Sequence, residues 1–181
     1  MKTESTVKYV LRLALILLAI TAVVAALLAG VNSVTAPVIA QLNAQKTQEA
    51  IEAVLPGGGD SVDFPATDLV SVVYKGEAGY AVQVAPAGFD GPITMMVGVD
   101  FDGNVLGISI IKHTETAGLG AVAAATTSAG EAFRGGFVGQ SGAVSVTKDG
   151  GQIDAITGAT ITSRAVCAGV NAALDCVAGM G

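Results

Sequence analysis

The sequence predicts an α+β domain with a mostly antiparallel sheet and flanking helices, behind a single N-terminal transmembrane helix. An uncharged apolar run over residues 13–31 is long enough to cross a bilayer. Four β-rich runs follow between residues 69 and 112, and Asp102-Gly103, a strong hairpin signal, joins the last two. Helical stretches stand on both sides of these runs, an order typical of an α+β fold.

The first element is the apolar run itself. It extends from Leu13 to Val31 with one Thr and no charge, and at about 1.5 Å per residue it nearly spans a hydrocarbon core of roughly 30 Å. A cleaved signal peptide is the alternative. The apolar region of a signal peptide usually has about 7–15 residues, and here the A-x-A-like site ending at Ala36 is followed by Pro37. We therefore expect an uncleaved anchor.

Charged residues are distributed unevenly about this run. Lys2, Lys8 and Arg12 precede it against Glu4 alone, and by the positive-inside tendency they place the N-terminus in the cytoplasm. The rest of the chain is then expected on the extracytoplasmic face of the inner membrane. It carries six basic and fourteen acidic residues. This balance argues against nucleic-acid binding, which needs Lys and Arg to replace phosphate counterions.

The remaining elements follow from periodicity and breaker residues. Thr35, Ala36 and Pro37 form a helix-start signal, and the Pro56-Gly57 turn ends that helix. After it we expect strands at Leu69–Tyr74, Tyr80–Ala85, Ile93–Phe101 and Val105–Lys112, an Ala/Thr-rich helical stretch after residue 120, a short strand at Val144–Thr147 and a helix at Thr162–Val177. The predicted segments are a cytoplasmic N-terminus and anchor (1–33), a membrane-proximal helix (34–56) and an extracytoplasmic domain (57–181).

Two cysteines, Cys167 and Cys176, fall on the last predicted helix. Nine positions along a helix separate their Cα atoms by about 13 Å, whereas a disulfide needs Cα atoms within roughly 7 Å. The spacing is also too wide for a CxxC metal motif. We expect two ordinary buried or half-buried thiols.

The stretch Asp154–Ser163 is the most informative part of the sequence. It is a turn of small residues that feeds a helix, and it ends with the hydroxyl side chains of Thr160, Thr162 and Ser163. From the residues alone, two interpretations stay open. Thr162 or Ser163 can cap the helix, or the free N–H groups of the helix start can bind an anion such as phosphate.

This stretch resembles the flavinylation motif D-x-x-(S/T)-G-A-(T/S) of the FMN-binding domain family. The matching residues are Asp154, Thr157, Gly158, Ala159 and Thr160. The resemblance implies that FMN is joined through its phosphate to Thr160, as a phosphodiester made by a flavin transferase that uses FAD and a divalent metal. It also implies that the four other residues belong to the cofactor site.

A second stretch, residues 113–120, resembles the H-x-E-T-P-G-L-G signature of the G subunits of Rnf complexes and of the related C subunits of sodium-pumping NADH:quinone reductases. Ala117 departs from the usual Pro. The resemblance implies a loop that packs near the isoalloxazine ring, with glycines that allow close approach. The residues it assigns to the site are Glu115, Thr116, Gly118, Leu119 and Gly120.

Lys148 lies shortly before the flavinylation motif. It can neutralise a flavin phosphate or the reduced flavin ring, and on that basis we place it in the cofactor site. A solvated turn lysine is the alternative, and the sequence leaves both open.

The length of the chain favours the Rnf G subunits, because the quinone reductase subunits carry an insertion that this chain lacks. The resemblance then implies an electron carrier in a complex that couples ferredoxin and NAD redox chemistry to Na⁺ or H⁺ movement. Its partners would be a membrane iron–sulfur subunit and a second flavinylated subunit. The alternatives are a subunit like that of the quinone reductases, a stand-alone flavinylated carrier and a non-redox binding module. No set of residues for acid–base or metal catalysis is evident, and there is one histidine.

Overall fold

The chain folds as one long helix, a five-stranded antiparallel sheet and two further helices. The structure is a computed structural model that describes residues 3–64 and 67–180, with side chains from residue 8 onward. The elements are α1 (Thr3–Val54), β1 (Asp60–Val62), β2 (Val70–Lys75), β3 (Gly79–Val84), β4 (Thr94–Asp100), β5 (Val105–Lys112), α2 (Ser128–Gly135) and α3 (Thr160–Ala178), with 3₁₀ turns at Gly120–Ala124 and Thr147–Asp149. The chain divides into two compact units, Met1–Ala44 and Gln45–Gly181.

The first unit is the apolar part of α1. Its large side chains are exposed, for example Leu15 at 58% and Leu27 at 67%. The hydroxyls of Thr21, Ser33 and Thr35 bond within the helix, with Thr21 donating to the Leu17 carbonyl at 3.0 Å. A helix that is apolar on its whole circumference and satisfies its hydroxyl groups internally suits a lipid environment. By length and composition α1 can cross a membrane, which agrees with the predicted anchor.

The predicted helix start at residues 35–37 is wrong, because α1 continues through Pro37. Thr35 does not cap a new helix. Its hydroxyl donates to the Val31 carbonyl at 3.0 Å, a bond inside the existing helix. Pro37 removes one N–H from the helical ladder, and the helix continues on both sides of that gap. The boundaries 1–33, 34–56 and 57–181 stay a prediction.

The second unit is built on the sheet, whose strands follow one another in the order β1-β2-β3-β4-β5 with every pair antiparallel. The four predicted strands are confirmed to within a residue or two, and the short edge strand β1 was not predicted. The hairpin at Asp102-Gly103 is confirmed too: Gly103 has a φ of 83°, which a glycine adopts without strain. The mixed order of strands and helices confirms the α+β class.

Two apolar cores lie on opposite faces of this sheet. The larger packs strand residues such as Val82 and Val97 against α2 and α3. The smaller holds the last turns of α1, at Ile51 and Val54, against Ala81 and Met96. Because β4 is covered on both faces, its five inner residues are all buried. The sheet thereby provides a rigid base for the loops at its edges.

The predicted strand at Val144–Thr147 is wrong, because this segment does not join the sheet. Its backbone bonds to the Asn171 side chain and to the loop at Ile153. The Asn171 side chain accepts a hydrogen bond from the Val144 N–H at 2.8 Å and donates one to the Val144 carbonyl at 2.9 Å. One isolated bridge joins Val146 to Ile153. The segment therefore runs from the sheet edge toward the start of α3.

Both cysteines are buried free thiols on α3, as predicted. Burial raises the pKa of the Cys167 thiol to about 11 and also raises that of Cys176. Both side chains are therefore neutral packing residues near pH 7.

Candidate functional site

A cleft of about 300 Å³ lies at the N-terminal end of α3. Four segments meet there: the loop before β4, the loop after β5, the 3₁₀ turn that carries Lys148, and the first residues of α3. The lining residues are Phe89, Glu115, Thr116, Leu119, Gly120, Lys148, Gly158, Ala159, Thr160, Ile161 and Thr162. A concave, largely apolar site with a few convergent polar groups is the usual form of a cofactor site.

This cleft brings together most of the residues that the sequence singles out. Eight of them line it: Glu115, Thr116, Leu119, Gly120, Lys148, Gly158, Ala159 and Thr160. The other three, Gly118, Asp154 and Thr157, line a neighbouring cleft of about 450 Å³ against α2. The motif at 154–160 thus divides between two adjacent surfaces.

Thr160 is the first residue of α3 and is half-buried. The N-cap residue is Ala159, whose side chain forms no capping hydrogen bond, and none of the other described side chains caps this helix. The first N–H groups of such a helix lack intrahelical partners and lie at the positive end of its dipole. The Lys148 Nζ donates to Thr160 Oγ1 at 3.1 Å. A lysine and an uncapped helix start therefore converge on the Thr160 hydroxyl, an arrangement that suits a phosphate.

The capping interpretation of Thr162 and Ser163 is wrong, because both hydroxyls bond elsewhere. Ser163 Oγ accepts from the Ile156 N–H at 3.0 Å and donates to the Ala159 carbonyl at 2.9 Å, which holds the turn in place. Thr162 donates to Glu115. The helix also begins two residues earlier than predicted, so that Thr160 is part of its first turn.

Gly158 is required at this turn. Its φ is 76°, a left-handed conformation, and a Cβ there would lie 3.0 Å from Leu119 Cδ2. The glycine thus lets the turn lie close against the loop after β5. Gly118 also has a φ of 76°, but nothing lies within 4 Å of a Cβ built there, so it supplies a left-handed turn and no close approach.

Asp149, the residue after Lys148, forms its ion pair with Arg164. The Asp149 carboxylate binds Arg164 in a bidentate pair, with distances of 2.7 and 2.6 Å. The hydrogen bond and charge of Arg164 lower the pKa of Asp149. This pair is largely exposed and contributes little stability. It does direct the negative charge of Asp149 toward Arg164, while the Lys148 amine bonds to Thr160.

Glu115 is 7% exposed and lies under the cleft. Oε1 accepts from the Phe89 N–H at 2.8 Å and the Asp90 N–H at 3.2 Å, and Oε2 accepts from the Thr162 hydroxyl at 2.5 Å. Burial opposes ionisation, but these hydrogen bonds, that of Thr162 first, outweigh it and lower the pKa of Glu115. Both carboxylate oxygens are thus engaged by protein donors.

The mouth of the cleft is apolar. Phe89, Leu119 and Ile161 are 67%, 44% and 51% exposed, and all three line it. Sequence reasoning missed Phe89 and Ile161. The signal for Phe89 was an aromatic residue in a short glycine-flanked turn, Gly88 to Gly91. Apolar and aromatic surface of this kind suits a planar ring system.

The residues present therefore fit FMN, a planar ring joined to a phosphate. Lys148 and the N–H groups of the α3 start would hold the phosphate, and the apolar mouth would hold the ring. The Thr160 hydroxyl lies next to Lys148 in this cleft.

Comparison with known proteins agrees with this geometry. The profile of the FMN-binding domain matches residues 88–175, and that of the RnfG N-terminal region matches residues 1–54. The G subunit of the Na⁺-translocating ferredoxin:NAD⁺ oxidoreductase complex of Acetobacterium woodii is 37% identical over 96% of this chain and 94% of its own. The G subunit of an ion-translocating oxidoreductase complex of Methanosarcina acetivorans is 34% identical over 94% and 95%. The G subunit of a proton-translocating ferredoxin:NAD⁺ oxidoreductase complex of Clostridium ljungdahlii is 34% identical over 82% and 81%.

Fold and site together define an FMN-binding protein with an N-terminal apolar helix. More narrowly, the chain belongs to the family of the G subunits of Rnf-type ion-translocating oxidoreductase complexes.

Proposed function

We propose that this protein is a membrane-anchored electron carrier with FMN held as a phosphodiester on Thr160, working as the G subunit of an ion-translocating ferredoxin:NAD oxidoreductase complex. The observation that carries the proposal is the position of the Thr160 hydroxyl. It lies at the uncapped start of α3, 3.1 Å from the Lys148 ammonium, beside an apolar cleft. Bound flavin supplies the redox chemistry, and the protein supplies position and charge.

The protein groups have separate tasks at this site. Lys148 and the helix N–H groups neutralise the charge that a phosphodiester keeps after attachment. The apolar mouth holds the ring at the surface, where a redox partner can approach it. We infer that those partners are a second flavinylated subunit and a membrane iron–sulfur subunit. The names of the relatives include both Na⁺ and H⁺ complexes, and no residue described above selects one of these ions.

Peptide-resolved mass spectrometry of the protein from its native host tests the proposal. The expected result is an adduct of FMN minus water on Thr160, since forming the ester releases one water relative to free FMN. The same measurement should be made on protein co-expressed with a flavin transferase. An unmodified peptide in the presence of active transferase would contradict the proposal and favour a binding module without covalent flavin.

We expect Asp154→Ala to reduce flavin occupancy while leaving the fold intact. Asp154 and Thr157 are exposed, and within the described residues neither side chain forms a hydrogen bond. They line the cleft beside α2 and not the one that contains Thr160. We infer that this second surface is read by the flavin transferase, so a change there impairs attachment and not folding.

The measurement is the ratio of 450 nm absorbance to protein after co-expression with the transferase. Asp175→Ala is the matched control, since Asp175 is an exposed aspartate at the other end of α3. Equal occupancy in Asp154→Ala and the control would show that Asp154 is only a turn residue.

We expect a reporter that works only outside the cytoplasm to be active when it is fused after Gly181. A reporter that needs the cytoplasm should be inactive at the same position. The basic residues before the apolar run retain the N-terminus on the cytoplasmic side, and one span then places the remainder on the other face. Alkaline phosphatase and a cytoplasm-dependent fluorescent protein form the paired reporters. Fluorescence with no phosphatase activity would reverse the proposed orientation.

A further inference from the structure

Glu115 connects the two walls of the cleft. One wall is the 88–90 loop, whose Phe89 and Asp90 N–H groups bond to Glu115 Oε1 at 2.8 and 3.2 Å. The other is the first turn of α3, where the Thr162 hydroxyl bonds to Oε2 at 2.5 Å. Each carboxylate oxygen thus bonds to one wall of the cleft. The bonded residues lie 25 to 47 positions from Glu115 in the sequence.

The carboxylate is also enclosed by backbone on both sides. A Cβ added at Gly88 would overlap Glu115 Oε1, and one added at Gly120 would overlap Oε2. Both oxygens thus lie close to glycine backbone, where any larger residue would displace the carboxylate from these bonds. Phe89, whose N–H is bonded, and Ile161, which precedes Thr162, are two of the exposed apolar side chains at the mouth of the cleft.

We propose that Glu115 is a positioning residue, an ionised clamp that sets the separation of the 88–90 loop and the start of α3 and places a fixed negative charge beside the cleft that would hold flavin. The first part concerns the protein alone. The second part rests on the proposed function, because it requires flavin in this cleft.

The charge has a predictable direction of effect. Uptake of two electrons and one proton by bound FMN would leave one extra negative charge on the ring, and a buried anion nearby disfavours that change, since charges interact strongly where water is excluded. Ionised Glu115 therefore lowers the reduction potential of bound FMN. Glu115→Gln keeps the size of the side chain and removes the charge.

The clamp is tested first without flavin, on the full chain expressed without a transferase and solubilised in detergent. Hydrogen exchange of the Phe89 and Asp90 amides is the measurement. Glu115→Gln should raise these exchange rates about tenfold or more, since a hydrogen bond to a charged group stabilises by at least that factor. Thr162→Val should raise them by a smaller factor, because it releases the carboxylate from α3 while the amide bonds to Oε1 remain possible. Thr162→Ser restores the hydroxyl and should restore slow exchange. Thr126→Val, at an exposed threonine away from the cleft, is the control and should leave the rates unchanged.

The charge is tested on flavinylated protein by its reduction potential. Glu115→Gln should raise the potential. Thr162→Val, which keeps the carboxylate, should shift it less and should alter the visible circular dichroism of the flavin, which Thr162→Ser restores.

Unchanged exchange at Phe89 and Asp90 in both Glu115→Gln and Thr162→Val would overturn the clamp, whatever the flavin content. If Glu115→Gln does not fold, the Thr162→Val and Thr162→Ser pair decides the same point. A potential that does not rise in loaded Glu115→Gln would overturn the electrostatic part. Absence of flavin on Thr160 in the unmodified chain would instead contradict the proposed function and leave the exchange result standing.

Discussion

Replacement of Thr160 by valine is expected to abolish covalent FMN and to leave the fold intact. Valine has the shape of threonine and the same branched Cβ, so the first turn of α3 is little affected. Thr160 is half-buried, and its hydroxyl accepts a hydrogen bond from the exposed Lys148 at 3.1 Å. Loss of one such bond costs about 1 kcal/mol or less. The chemical effect is complete, because the attacking oxygen is gone.

The measurement is in-gel flavin fluorescence of denatured protein, which detects covalent flavin only, combined with peptide mass spectrometry. Thr160→Ser is the matched control, since it keeps a hydroxyl at the same position, and we expect it to retain FMN. Covalent flavin in Thr160→Val, or its loss in Thr160→Ser with the fold preserved, would be inconsistent with Thr160 as the acceptor.

Gly120→Ala is expected to destabilise the domain and to lower flavin attachment with it. The new Cβ would overlap Glu115 Oε2 and lie 2.5 Å from Thr162 Oγ1. To accommodate the methyl group, the Glu115 carboxylate and the Thr162 hydroxyl must move apart. The buried carboxylate then loses the hydrogen bond that Thr162 donates. Overpacking and a lost charged hydrogen bond together cost about 2–4 kcal/mol. Calorimetry of the detergent-solubilised chain should show a lower melting temperature for the domain transition.

Gly135→Ala provides the comparison, because nothing lies within 4 Å of a Cβ built there and its φ is not positive. It lies at the end of α2, where alanine favours helix over glycine. We expect its melting temperature to equal or exceed that of the unmodified chain. Equal stability of Gly120→Ala and Gly135→Ala would mean that the loop after β5 yields easily, and that it does not hold Glu115 tightly.

The strands and the last helix were predictable because each has a strong local pattern. Runs of β-branched residues marked β2 to β5, and the Asp102-Gly103 turn identified the β4–β5 hairpin. One error occurred where a distant partner decides, since Val144 bonds to the Asn171 side chain in place of a strand. The other is local. The residues at 35–37 have the pattern of a helix start, yet α1 passes through Pro37 and the Thr35 hydroxyl bonds within the helix to the Val31 carbonyl.

The candidate site shows the same division. Local sequence was sufficient to single out the glycine turn at 158 and the hydroxyl residues that follow it, since turn chemistry is a property of adjacent residues. The choice of Thr160 and of the loop at 115–120 came from the resemblance to the FMN-binding domain family. The sequence left open whether Lys148 belongs to the cofactor site or is a solvated turn lysine. Its 3.1 Å contact with Thr160 arises only because the 3₁₀ turn at Thr147–Asp149 folds against the start of α3.

Tertiary structure alone decided three further features. It separated Asp154 and Thr157 from the cleft that contains Thr160, it brought the 88–90 loop to that cleft, and it buried Glu115 between the two walls. Hydrogen bonds to Glu115 join residues up to 47 positions apart. Such contacts depend on how the strands and α3 pack around one core, so the pattern of residues within a single segment does not contain them.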